Sequence, residues 1–203
     1  MAGRTIYLVR HGETEWNRVG RWQGVTDVAL SETGRAQARM LVDRLRGRGL
    51  VRVFASDLAR ARETAEIIAA AHGLAPPVSD GRLRERGFGC FEGLTREECA
   101  VQFPEAWERY QRDRRWTPPG AEIHEDVVVR VIKSMLDIAH GLRDRQAALV
   151  VSHGGTMRSF ANAITGSAPP PIANGDILRV RYVRGRFTDV DLLEPDTESP
   201  TLS

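Results

Sequence analysis

Three short apolar runs, each ended at once by residues able to do chemistry, constrain this chain more than any other feature. Thr5–Val9 (TIYLV) runs into Arg10-His11-Gly12. Val51–Ala55 (VRVFA) runs into Ser56-Asp57, and Ala147–Val151 (AALVV) into Ser152-His153-Gly154-Gly155. Runs that are apolar throughout, rather than alternating, suit strands buried on both faces of a parallel sheet. Helical patterns fall between them. Ser31 stands where it can N-cap a helix with Ala38, Leu41, Val42 and Leu45 on one face, ended by Gly47 or Gly49. Ala61, Thr64, Ala65 and Ile68 mark the next helix, with Gly73 as its stop. Val128, Val131, Ile132 and Met135 mark a longer one to about Gly141, and Met157, Phe160, Ala161 and Ile164 another closed by Gly166. Ile177–Val183 and Arg186–Leu192 flank Arg184-Gly185 as a hairpin. Strands alternating with helices predict an α/β fold: three layers, α/β/α, around a mostly parallel sheet.

One stretch breaks the rhythm. From about Arg82 to Pro119 the chain offers short helices, Trp107 and Trp116, clustered charges, and a capping box at Thr95 and Glu98. This predicts a cap inserted into a single domain spanning 1–193. The polar, proline-containing stretch 194–203 is expected to be a disordered tail. A length of 203 residues suits one domain.

Charge excludes some functions. Lys and Arg total 29 against 27 Asp and Glu, a net charge of +2, so neither a polybasic nucleic-acid arm nor an acidic tail is the main theme. Lys133 is the only lysine, so any anion is gripped by guanidinium forks. Cys90 and Cys99 are too few for a disulfide framework and imply a reducing compartment. The apolar run Ile6–Val9 is too short for a signal peptide, and no stretch approaches the ~18 apolar residues of a membrane span. The expectation is a cytoplasmic protein with no membrane or nucleic-acid partner.

In open α/β sheets, ligands bind beyond the carboxyl ends of the strands. If the three strands are neighbours, His11, His153, Arg10 and Arg60 converge there. Glycines let backbone N–H groups approach a ligand, and a helix starting near Gly155 adds its positive end. The ensemble suits a phosphoryl dianion held by arginine forks beside an imidazole able to attack phosphorus. A lone histidine after a strand is ordinarily structural; two in matching x-His-Gly turns make coincidence a poor account. Spacing alone places Arg60, within DLARARETA, on a solvated helix face. Glu85, between Arg84 and Arg86, reads on its own as a surface ion pair.

Arg10-His11-Gly12-Glu13-Thr14-Glu15-Trp16-Asn17 resembles the signature of the histidine phosphatase superfamily, the phosphoglycerate-mutase-like phosphohydrolases. Further blocks follow in family order: Gly20–Gly24 (GRWQG), Leu30–Gly34 (LSETG), Ser56–Ala65 (SDLARARETA), Leu83–Glu85 with Phe88–Thr95, and Ser152–Gly155. The resemblance covers roughly residues 4 to 166 and points to the phosphatase branch. It implies a phosphoglycerate-mutase-like fold and hydrolysis of a small-molecule phosphate monoester, with neither metal nor other cofactor. His11 would be the nucleophile that becomes phosphohistidine. Arg10, Arg60 and His153 would hold the phosphoryl oxygens, with Gly154 beside them. Asn17 would line the phosphate pocket, and Gln23 and Gly24 would lie near the substrate. Glu85 would protonate the leaving alkoxide and then activate water. Glu92 ranks below it, because it precedes Gly-Leu-Thr, a helix-start pattern. Homodimers are common in the family.

The chain departs from the family pattern at Gly120-Ala121-Glu122-Ile123, where the phosphatases often read Gly-Gly-Glu-Ser. Ala121 resists positive φ and Ile123 cannot cap, so local loop geometry there is expected to differ. His124-Glu125-Asp126 does not make a metal site, since adjacent residues do not share a helix face. No HExxH, GxGxxG or GxxxxGK is present. Arg109, Arg112, Arg114 and Arg115, near Tyr110 and Trp116, read first as a charged cap helix interleaved with acids, and after that as contacts to nucleic acid or to a second anionic group on a substrate. Two rival functions remain. One is a cofactor-dependent phosphoglycerate mutase, which Arg86, Arg114 and Arg115 favour. The other is a non-catalytic phospho-ligand or protein-binding relative, which the presence of His11, His153 and Glu85 disfavours.

Overall fold

The computed structural model describes residues 3–167 and 169–194. Apart from Glu194, the stretch expected to be a disordered tail lies outside the described residues. Six strands form one sheet: β1 (Arg4–Arg10), β2 (Leu50–Ala55), β3 (Val78–Ser79), β4 (Ala147–Ser152), β5 (Ile177–Val183) and β6 (Arg186–Leu192). Their order is β3-β2-β4-β1-β5-β6, parallel from β3 to β1 and antiparallel at β5 and β6. The helices are α1 (Glu15–Arg18), α2 (Glu32–Arg44), α3 (Ala59–Ala71), α4 (Arg96–Gln102), α5 (Pro104–Arg112), α6 (His124–His140) and α7 (Gly154–Thr165).

The apolar strands divide their side chains between two cores by simple alternation. Ile6 and Leu8 of β1, with Ala148 and Val150 of β4, face α6 and α7. Tyr7, Val9, Leu149 and Val151 face α2 and α3. The result is the three-layer α/β/α fold. Ser31 N-caps α2 through the Gly34 N–H, and Gly166, at φ 74°, ends α7 in the left-handed conformation. On α6 the stripe differs by one residue from the expected one. Val127 is buried with Val131, Met135 and Ile138, and Val128 is half-buried.

A third, aromatic cluster belongs to the inserted stretch. Phe91, Cys99, Trp107 and Tyr110 pack against Trp22, Phe88 and Trp116, with edge-on ring pairs such as Phe91–Trp107 at 5.6 Å. Thr95 and Glu98 form the capping box of α4, and Pro104 opens α5. Leu83 lies in the α6–α7 core, so the aromatic cap begins after the 84–87 segment. Gly120 takes positive φ (73°), which leaves Ala121 in an ordinary conformation that bridges Phe88. The alanine is therefore tolerated, and α6 begins after Ile123 with no side-chain cap.

Candidate active site

Strand register brings the chemistry together. β4 lies between β1 and β2, with Arg10 opposite Ser152 and Ala55 opposite Val151. The next residues leave the sheet side by side: His11 N donates to Ser152 O (3.0 Å) and Ser56 N to Val151 O (2.9 Å). The His11 and His153 rings meet edge to face with centroids 5.0 Å apart. His11 stands with Arg10, Asn17, Gln23, Gly24, Arg60, Glu85 and Gly154 on the wall of one cleft of 1170 Å³, while His153 is fully buried against the His11 ring.

His11 has a defined tautomer. Its Nδ1 lies 2.7 Å from the Gly12 carbonyl, which can only accept, so Nδ1 carries the proton and Nε2 the lone pair. Burial, and then Arg60 and Arg10, hold its pKa well below the usual histidine value, so the ring is neutral. His153 is fully buried and neutral for the same reasons, burial first and then Arg60, His11 and Arg10. Neither of its ring nitrogens has a protein partner.

Arg60 overturns the solvated-face reading of its helix. It is 1% exposed, in the first turn of α3, and its two terminal nitrogens donate to Gly24 O (2.8 Å) and Thr26 O (2.9 Å). Burial lowers its pKa to about 10, which still leaves it charged at neutral pH. Arg10 donates from one terminal nitrogen to Ile172 O (2.6 Å). The Nε atoms of Arg10 and Arg60 are buried without a protein acceptor. Four donor-capable or acceptor-capable nitrogens, on two arginines and His153, are thus gathered in one place unspent. Buried polar groups are rarely left so, and an oxyanion satisfies such a set.

The loop that holds Arg60 is itself held. Gly24 (φ 52°) has no room for a Cβ, which would meet the Glu92 carboxylate at 2.0 Å. Glu92 accepts from Val25 N, Thr26 N, Thr26 Oγ1 and Phe88 N, at 2.7–3.2 Å. It braces the loop and is not part of the cleft wall. Gln23 is buried with its Oε1 unpaired.

Glu85 is not paired with either flanking arginine side chain. Arg84 reaches Asp57 (2.6 Å), and Arg86 Nε donates to Glu122 O (2.9 Å). Instead the Glu85 carboxylate seats on the start of α7, whose own N-cap, His153, supplies no side-chain cap. Oε1 accepts from Thr156 N (3.0 Å) and Arg86 N (2.9 Å), with Thr156 Oγ1 at 3.1 Å turned to Arg84 O (2.7 Å); Oε2 accepts only from Gly155 N (2.9 Å). Oε2 therefore has room for a transferable proton. The helix end expected to face the ligand is largely taken up by this carboxylate. A Cβ on Gly155 would lie 2.6 Å from Oε1, so the close approach requires glycine.

Asn17 sits in the capping box of α1. Its Oδ1 accepts from Thr14 N, Thr14 Oγ1 and Asn174 Nδ2 (3.1–3.3 Å), which leaves its own amide N–H groups for the cleft. Asn174 also donates to His11 O (2.9 Å). Sequence reasoning missed it; the Asn174-Gly175 turn before β5 was the only signal. Thr64 was read as core, yet its hydroxyl receives the Gly12 N–H (3.1 Å). Arg114 and Arg115 reach the cleft wall, as do Arg86, Arg96 and Arg158. Arg109 and Arg112 do not: Arg109 packs over Trp116, and Arg112 pairs with Glu108. His124 touches the cleft edge, and among the described residues no group of three or more His, Cys, Asp or Glu is placed to hold a metal ion. Among the same residues no helix is long and apolar enough to cross a membrane.

Known proteins resemble this chain in sequence and in fold. A phosphoglycerate mutase-like protein 4 from Arabidopsis thaliana is 37% identical over 166 residues, covering 80% of this chain and 72% of that one. A glucosyl-3-phosphoglycerate phosphatase from Mycolicibacterium vanbaalenii is 34% identical, covering 88% and 80%. The solved structure of Bacillus stearothermophilus YhfR superposes with a TM-score of 0.82 at 31% identity, covering 93% of this chain and 96% of that one. The family model of the histidine phosphatase superfamily, branch 1, matches residues 6–192, and the chain belongs to that superfamily.

Proposed function

We propose that the protein is a metal-independent phosphomonoesterase that hydrolyses a small phosphorylated metabolite through phosphohistidine on His11. One observation carries the reading. A neutral His11, its proton fixed on Nδ1, stands beside buried Arg10, Arg60 and His153 nitrogens that no protein group satisfies. Nε2 attacks phosphorus as the ester P–O bond breaks. Glu85 delivers its proton to the departing oxygen, and the alcohol leaves. Glu85, now a carboxylate, takes a proton from water; the hydroxide oxygen attacks phosphorus, the N–P bond breaks and phosphate departs. The sum is ester plus water giving alcohol plus phosphate. The arginines, the N–H of neutral His153 and the Asn17 amide stabilise charge on the phosphoryl oxygens, a task that a cation performs in other phosphotransfer sites.

A mutase reading has its own support. Arg86 is buried with one terminal nitrogen unpaired, and Arg114 and Arg115 share its cleft, so a second anionic group on the substrate finds donors there. The names of the relatives divide the same way. Against it stands the size of the cleft, larger than a three-carbon phosphoacid fills, which leaves room for water at the phosphoenzyme.

Incubation with 3-phosphoglycerate and a trace of 2,3-bisphosphoglycerate separates the two. Free phosphate from several monoesters without isomerisation supports the phosphatase; rapid formation of 2-phosphoglycerate with little free phosphate overturns it. A quenched phosphoenzyme should be acid-labile and alkali-stable, and absent in His11→Ala.

A further inference from the structure

Arg130, on α6, lies at the centre of a network that the mechanism above does not use. All five of its N–H donors are spent. Nε donates to Glu122 Oε1 (2.7 Å) and one terminal nitrogen to Glu122 Oε2 (2.9 Å), a bidentate ion pair. The remaining donors reach three consecutive-turn carbonyls: Arg82 O (2.7 Å), Arg84 O (2.7 Å) and Glu85 O (3.1 Å). The two side chains are only 18% and 25% exposed, so the pair is shielded from solvent rather than a surface pair of small effect.

Glu122 extends the grip to the other side of Glu85. Its backbone N donates to Gly87 O (2.9 Å), its carboxylate accepts from Gly87 N (3.3 Å), and its carbonyl receives Arg86 Nε (2.9 Å). Residues 84–87 have no helix or strand of their own to fix them. Their backbone is held from α6 through Arg130, from the loop before α6 through Glu122, and from α7 through Thr156 Oγ1 on Arg84 O (2.7 Å). Only the guanidinium fork can serve a carboxylate and three carbonyls at once; an ammonium has three donors and no planar fork.

We infer that Arg130, clamped by Glu122, is a positioning residue for the reaction. It ties the backbone of the 82–87 segment to α6 so that the Glu85 carboxyl reaches the leaving group from a fixed place on α7. The inference rests on the role proposed for Glu85. Arg130 does not line the cleft, and its effect on proton transfer is transmitted through Glu85. A misplacement of about 1 Å in such a group costs roughly 10²-fold in rate.

The test compares an alkyl phosphate, whose leaving alkoxide needs a proton, with nitrophenyl phosphate, whose leaving group does not. Arg130→Met keeps an unbranched apolar stem and removes every donor. Its kcat on the alkyl ester should fall by about 10²-fold, and on nitrophenyl phosphate by less than about tenfold. Arg130→Lys should show the same selectivity with a smaller loss. The double variant Glu85→Gln/Arg130→Met should be scarcely slower on the alkyl ester than Glu85→Gln alone, because both remove one function. Equal losses on the two substrates, no loss, or losses that multiply in the double variant overturn the inference. If Arg130→Met does not fold, by circular dichroism, Arg130→Lys is read by the same criteria. A separate outcome marks failure of the underlying reading: Glu85→Gln itself damaging both substrates equally.

Discussion

At the scale of single residues, the two buried histidines set a pH dependence. In the unfolded chain each imidazole takes up a proton as the pH falls through about 6.5. In the folded chain burial, with the charges of Arg60 and Arg10, keeps His11 and His153 neutral well below that point. Below about 6.5 the unfolded state therefore binds more protons, and stability present above that pH is lost as it falls. Each histidine should contribute about 1.4 kcal/mol of loss per pH unit until its folded-state value is reached. Urea unfolding of the wild type and His153→Asn from pH 7 to pH 5 checks this. The variant's stability should fall less steeply by about one proton, and parallel slopes would show that His153 does not titrate between the states. These histidines are legible in the sequence because each follows an apolar strand. Arg60 is legible only through the family resemblance and its place after a strand: its helix reads as amphipathic and charged, and only the carbonyls of Gly24 and Thr26, more than thirty residues earlier, explain its burial. Asn174 and Arg130 are invisible for the same reason, since every partner that gives them meaning is distant in sequence.

At the scale of elements, local signals serve well where an element is closed by its own residues. Ser31, Thr95 and Gly166 cap as their types require. The hairpin falls on the expected residues, and Arg184 and Gly185 both take positive φ (52° and 78°), as a type I′ turn demands. Arg184 is a poor choice for that conformation, and asparagine a good one. Arg184→Asn should stabilise the protein by about 0.5–1 kcal/mol without touching activity, measurable as a higher unfolding midpoint. The contact between α2 and the His11 loop is different in kind. Ser31 N donates to Glu13 O and Gln37 receives Glu13 N, so the first turns of α2 carry the loop that follows His11. The approach is so close that a Cβ on Gly34 would lie 2.1 Å from Glu13 O, and one on Gly12 would lie 2.3 Å from Gly34 O. Neither glycine has positive φ, so the requirement is space and not torsion. Gly34→Ala should cost about 1–3 kcal/mol by overpacking and lower kcat by displacing His11. An unfolding curve and a rate together check it; a stable variant with reduced activity alone would separate the two effects.

At the scale of the whole molecule, charge is nearly balanced yet unevenly placed. The chain carries 29 basic and 27 acidic residues. The cleft wall carries nine arginines against two glutamates, Glu85 and Glu97, so the excess is concentrated where the proposed phosphate ester would enter. Some of these arginines are already matched: Arg18 pairs with Glu15 and Arg21 with Glu98. Arg60 is buried and Arg10 half-buried at the floor, while Arg96, Arg115 and Arg158 stand exposed along the wall. A low-dielectric cleft lined by one sign of charge focuses its field on the approach path and raises encounter with an anion. The floor arginines act within a few ångströms and are poorly screened; the rim arginines act over distances comparable with the Debye length, about 10 Å at 0.1 M salt. Salt should therefore weaken capture while leaving chemistry alone. Raising the ionic strength from about 0.02 M to about 0.5 M should lower kcat/KM for a dianionic ester by about tenfold, with kcat nearly constant. The double variant Arg96→Gln/Arg158→Gln should start with a lower kcat/KM and show a flatter salt dependence, converging on the wild type at high salt. If kcat falls with kcat/KM, salt is reaching the floor of the site. If the variant keeps the wild-type slope, the rim arginines do not steer the substrate and the field belongs to Arg10 and Arg60 alone.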